Sequence, residues 1–95
     1  MEKEQVQAII IEMVKEVSIT NKQTKRGIVA DMDAYDRLTG MTQGVKLAIK
    51  VLEPNTVHME IKTIRDIIDN LYLGTNEQKV QAENNLNLLV TMLEA

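Results

Sequence analysis

The chain has no cysteine, no tryptophan and no phenylalanine, and one residue each of proline, histidine and serine. Without cysteine there is no disulfide framework, no thiolate metal site and no cysteine nucleophile, which suits a reducing compartment. Ser18 and His58 lie forty positions apart with no spacing that joins them into a nucleophile and base. No glycine-rich loop runs into Lys-Ser or Lys-Thr, so the P-loop route to phosphate chemistry is missing. Tyr35 and Tyr72 are the whole aromatic complement, too little for a single-strand platform on which each stacked base contributes about 1–3 kcal/mol. The longest apolar run, Ala8-Ile9-Ile10-Ile11, falls far short of the roughly 20 residues that cross a bilayer. The first residues, with Glu2, Lys3 and Glu4, do not make a secretory signal. These absences predict a non-enzymatic, cytoplasmic protein with no cofactor, no metal and no membrane contact.

What is present is helical periodicity. Of the 95 residues, 44% are hydrophobic and 26% charged, a composition that suits one domain with a single core. Val6, Ile9, Ile10, Met13, Val14 and Val17 form one stripe at spacings of three and four, which predicts a helix over 3–18. A polar, basic stretch follows, with Lys22, Lys25, Arg26 and Gly27, and a loop is expected over about 19–30. A second helix, 31–53, carries Leu38, Met41, Val45, Ala48, Ile49 and Leu52, with Asp31 or Asp33 as its N-cap and Pro54 ending it. The third, 56–73, carries Val57, Ile61, Ile64, Ile68 and Leu71, and Gly74 stands where a left-handed C-cap is expected. Thr75 and Gln78 read as a capping box for a fourth helix, 76–94, with Ala82, Leu86, Leu89, Val90 and Leu93 on one side. The expected fold is all-α, one domain over 1–95, with the last three helices packed as antiparallel neighbours because their connections are short.

The apolar residues exceed one stripe per helix. Gly40, Gly44, Leu47 and Val51 line a second face of the second helix, and Met59 and Ile67 lie off the main stripe of the third. A glycine inside a helix costs about 1 kcal/mol against alanine, so Gly40-x-x-x-Gly44 calls for a compensating close approach. Either another helix of the same chain fills the notch, or a second copy or a partner protein does; a kink at Gly40 that splits the helix is a further reading. Gly40, Gly44, Leu47, Val51, Met59 and Ile67 are thus the candidate interface, and a homo-oligomer is expected.

The formal net charge of −3 argues against a broad nucleic-acid surface. It is unevenly spread: residues 53–95 hold seven Asp or Glu against three Lys or Arg, while residues 1–52 are nearly balanced. Asp31, Asp33 and Asp36 have a spacing that suits a hard cation, and helix capping with dipole complementarity explains the same residues. The stretch Leu47-Ala48-Ile49-Lys50-Val51-Leu52-Glu53-Pro54-Asn55-Thr56-Val57-His58-Met59-Glu60-Ile61 resembles the helix-turn-helix of DNA-binding regulators. It departs in the interval from alanine to leucine, the missing glycine at the turn and the position of the threonine. In the would-be reading helix Glu60, Asp66 and Asp69 would repel phosphates.

In size and acidity the chain resembles the stoichiometric inhibitors and adaptors made by phages and mobile elements, which implies a function of binding a partner protein. The four-helix plan is also similar to that of bacteriocin immunity proteins. A further resemblance is to phage proteins that sequester cyclic nucleotides, which implies an anionic nucleotide ligand held between subunits. Lys22, Lys25, Arg26, Tyr35 and Arg37 are the candidate ligand-binding residues on that reading; otherwise they form a solvated basic loop.

Overall fold

The structure, a computed structural model, describes residues 3–52 and 58–94. They form four helices, with no strand among the described residues: α1 (Lys3–Lys25), α2 (Asp31–Leu52), α3 (His58–Leu73) and α4 (Asn76–Glu94). The 22 residues of α2 rise about 33 Å at 1.5 Å each, most of the 37 Å long dimension of the molecule. The helices close a ring in which α1 touches α2 and α4, and α3 touches α2 and α4. A contact between α1 and α3 crosses the middle of that ring, which leaves α2 and α4 apart.

The stripes read from the sequence supply the core. Met13, Val14 and Val17 of α1 meet Ala34 and Leu38 of α2, Ile64, Ile68 and Leu71 of α3, and Ala82 and Leu86 of α4. Each large aliphatic side chain withdrawn from water in this way stabilises the fold by about 1.5–3 kcal/mol. Because α3 has neighbours on three sides, one stripe is not enough for it. Ile67, expected at an interface with another molecule, is only 6% exposed and belongs to the core of its own chain.

The first helix runs seven residues past its expected end at Ser18 and takes in most of the expected basic loop. The stripe does not stop at Val17; it continues in small polar residues, with Thr20 fully buried and Asn21 and Thr24 half-buried on the same face. Hydropathy alone misses such a continuation. The loop shrinks to residues 26–30, and Gly27 turns it. At φ +74° Gly27 has the one positive φ among the described residues. Its N–H donates to the Thr24 carbonyl at 3.1 Å, and the Ile28 N–H reaches back to the Gln23 carbonyl at 2.9 Å. This pair of bonds is the Schellman cap, which satisfies two of the carbonyls left open at a helix C-terminus.

The left-handed cap expected at Gly74 is therefore found at Gly27 instead. Gly74 serves a close approach: an added Cβ would lie 2.6 Å from the Asn70 carbonyl oxygen and 2.8 Å from Gln78 Cβ. The capping box beside it forms as expected. The Gln78 N–H donates to Thr75 Oγ1 at 3.2 Å, and the Thr75 N–H donates to Gln78 Oε1 at 2.9 Å. At the start of α2 neither aspartate is the cap, since the helix begins at Asp31 and the Ala30 carbonyl accepts the Ala34 N–H at 3.0 Å. Asp31 and Asp33 sit in its first turn, where the helix dipole favours negative charge. Through Gly40 the helix is continuous, so the reading that splits it there does not hold. The expected boundary at Glu53 and Pro54, and the start of the third helix at Thr56, lie outside the described residues.

Candidate functional site

Within one chain, the residues expected to hold an anionic ligand between subunits are spread over three helix seams and the exposed end of α1. Arg37 lies at the seam between α1 and α2, where its Nη2 donates to Thr20 Oγ1 at 3.0 Å and to Gln23 Oε1 at 3.4 Å. Lys25 lies at the seam between α1 and α4, paired with Glu83. Tyr35 lies at the seam between α2 and α3, where its hydroxyl donates to Asp69 Oδ1 at 3.0 Å and accepts from Arg65 Nη2 at 3.4 Å. Lys22 and Arg26 are exposed near the end of α1. Three of the five thus tie different pairs of helices together, and the extension of α1 is what spreads them.

Arg65 was not expected to take part. Its Nε donates to Asp69 Oδ1 at 3.1 Å, one turn along α3. The hydrogen bond it donates to Asp69, then that to Tyr35, hold the guanidinium more firmly protonated than usual. At Tyr72 the shift has another cause. Its hydroxyl is buried, and burial raises its pKa above the usual 10.0, with the Thr24 side chain opposing the shift. Among the described residues no group meets strict hydrogen-bond geometry with the Tyr72 hydroxyl, and the Thr24 side chain is the polar partner that lowers its pKa.

The glycine notch on α2 is vacant. Gly40 and Gly44 are exposed, and among the described residues a Cβ added at either would meet nothing within 4 Å, so none of the four helices fills the notch. Leu47, one turn beyond Gly44, is exposed as well. The side chains of Val51 and Met59 fall outside the described residues.

An apolar opening lies between α3 and α4. It is a cleft of about 390 Å³ with Ile67, Ala82 and Leu89 in its floor and walls, and with Asp66, Asn70, Gln81 and Asn85 among its polar lining. Leu88 and Met92 also line it, and they are 60% and 65% exposed. In the sequence these two stand at the edge of the α4 stripe; their exposure follows from how little of α4 its two neighbours cover. A smaller cleft of about 250 Å³ lies between α2 and α3, lined by Thr42, Gln43, Lys46, Ile61, Lys62 and Arg65.

Asp31, Asp33 and Asp36 are all exposed. Among the described residues no three His, Cys, Asp or Glu side chains gather as a metal-binding group. None of the four helices is long and apolar enough, among the described residues, to cross a membrane.

Fold and surface together define an all-helical four-helix protein whose openings lie in the seams between helices and on the outer face of α2. No family model, curated protein or solved structure matches the chain.

Proposed function

We propose that the chain acts in the cytoplasm by binding a partner protein, as a stoichiometric inhibitor or adaptor, with no chemistry of its own. The observation that supports this most is the cleft between α3 and α4, with its apolar floor, its amide-rich lining and the exposed pair Leu88 and Met92. Such a trough between two helices suits an amphipathic helix that inserts apolar anchors at spacings of three and four. The surplus of acid in residues 53–95 favours a partner helix with a basic polar face.

Self-association through α2 belongs to the same reading. The outer face of α2 carries a notch at Gly40 and Gly44 and a knob at Leu47, so it is complementary to itself. In an antiparallel pair centred between Gln43 and Gly44, Leu47 of each copy falls over Gly40 of the other. A two-fold interface needs this kind of self-complementarity. Because α2 makes no contact with α4 among the described residues, the cleft between α3 and α4 then lies away from the dimer axis and remains open.

Photo-crosslinking in the producing cells tests the partner reading, with a benzophenone amino acid at Gln81 inside the cleft and a control at Asp33 on the opposite side. A discrete adduct with another protein from Gln81, lost when Leu88→Lys and Met92→Lys are added, is the expected result. Adducts only with a second copy, or equal adducts from both positions, would overturn it.

A further inference from the structure

The fold assembles one group of cations from α2 and α3, apart from Lys22, Lys25, Arg26 and Arg37. Lys46 and Lys62 stand eight residues either side of Pro54, and Gln43 and Arg65 eleven either side. When α2 and α3 pack as neighbours, that symmetry sets Lys46 against Lys62 and Gln43 against Arg65. The four side chains line the cleft of about 250 Å³, over buried Thr42 and Ile61. No carboxylate is among the lining residues. Among the described residues neither Lys46 nor Lys62 is paired with one.

The donor inventory narrows what such a cleft accepts. Lysine and arginine side chains carry donors and no acceptors. The Thr42 hydroxyl donates to the Thr39 carbonyl at 2.9 Å, so its proton is spent, and the Gln43 amide is the neutral donor that remains. Arg65 uses its Nε–H and one Nη2–H on Asp69 and Tyr35, which leaves three of its five N–H groups free. The same two bonds fix the plane of the guanidinium before any ligand arrives, which lowers the ordering cost of binding. A ligand for this cleft is therefore an acceptor at every vertex and carries at least two negative charges. A tetrahedral phosphate group meets both conditions, with separate oxygens for two ammonium groups and for the guanidinium fork. The volume lies below the roughly 300–1,000 Å³ of pockets that enclose drug-sized molecules, so the phosphate enters and the body of a larger ligand stays outside.

We propose that the cleft between α2 and α3 is a binding site for the phosphate group of a small soluble ligand, with Lys46, Lys62 and Arg65 as its donors. Lys46 projects towards α3, and Gly40, Gly44 and Leu47 lie on another face of α2. The three charged donors are therefore distinct from the residues of the proposed self-association face, and the site shares no lining residue with the α3–α4 cleft.

Amide chemical shifts of the ¹⁵N-labelled full chain, titrated with sodium pyrophosphate against sodium chloride at matched ionic strength, test it. The expected result is a saturable response at residues 42–46 and 61–65, with affinity about ten-fold lower in Lys62→Gln, the loss of one charge-assisted contact. Arg65→Lys, which keeps the charge and loses the fork, is expected to weaken binding as well. Shifts no larger than those with chloride would overturn the proposal. So would shifts shared equally with Lys22, Lys25 and Arg26 and unchanged in Lys62→Gln. A second arm uses phosphatidylglycerol vesicles: co-sedimentation lost in Lys62→Gln, without binding of free pyrophosphate, would overturn the assignment to a soluble ligand.

Discussion

Replacing Tyr72 by phenylalanine is expected to make the protein more stable, which is unusual for a core substitution. The residue is 8% exposed, and its hydroxyl is buried with no partner in strict hydrogen-bond geometry among the described residues. Leaving a buried polar group unsatisfied costs about 1–3 kcal/mol. Phenylalanine removes that oxygen and keeps the ring, at the expense of a void the size of one atom. A net gain of about 1 kcal/mol follows, which for a domain of this length corresponds to a rise in Tm of about 4–8 °C. The pH dependence supplies a second readout. Burial raises the Tyr72 pKa above 10.0 in the folded state, so the unfolded chain releases this proton first as the pH climbs. Where the unfolded state binds fewer protons than the native state, stability falls with rising pH. The contribution from Tyr72 is therefore complete below pH 10 and is lost as the pH rises from there through the raised folded value. Urea unfolding followed by circular dichroism, at neutral pH and in steps above pH 9, compares the two proteins. Tyr72→Phe is expected to be the more stable at neutral pH and to lose less stability above pH 10. A variant less stable than the parent, or one with the same alkaline slope, would refute the reasoning and mean that the hydroxyl has a partner after all.

Two further substitutions test other parts of the structure. Gly44→Leu is expected to turn a dimer into a monomer by light scattering, with the fold kept because among the described residues nothing lies within 4 Å of the new Cβ; an unchanged mass would rule out pairing through this face. Gly27→Ala forces a Cβ into a left-handed conformation at φ +74° and is expected to cost about 1–2 kcal/mol in urea unfolding, whereas Gly27→Asn costs less because asparagine tolerates that region.

The apolar stripes made most of the fold legible. Leu38, Ile64, Ile68 and Leu86 were placed on the inward faces of their helices by spacing alone, and all four are buried. Thr75 and Gln78 announced the start of α4 because a reciprocal cap is encoded within four residues. The end of α1 was not legible, since its last two turns bury hydroxyl and amide groups where a hydropathy pattern expects carbon. The burial of Ile67 was not legible for a related reason: whether a residue off the main stripe is covered depends on how many helices surround it, which is a property of the whole assembly. The α2–α3 cleft was within reach of the sequence, through the equal distances of Lys46 and Lys62 from Pro54, but only once those two helices were treated as an antiparallel pair. The ligand-binding set Lys22, Lys25, Arg26, Tyr35 and Arg37 came from a resemblance that places the ligand between subunits, and the partners that Lys25, Tyr35 and Arg37 have within one chain, on different helices, were not legible in the sequence.

Those three residues have a consequence for how uniquely the sequence defines its bundle. Leu, Ile and Val side chains dominate the core, and aliphatic contacts of this kind tolerate rearrangement while burial is kept. If α2 slid by one turn along α1, side chains would move by about 5.4 Å; much of the aliphatic contact would re-form, but Thr20, fully buried, would lose Arg37. The same slide against α3 would part Tyr35 from Asp69, and one between α1 and α4 would part Lys25 from Glu83. Each displaced arrangement breaks a directional contact made in the native alignment. Lys25, Tyr35 and Arg37 thus act as register pins, holding an otherwise slippery set of helices to one alignment.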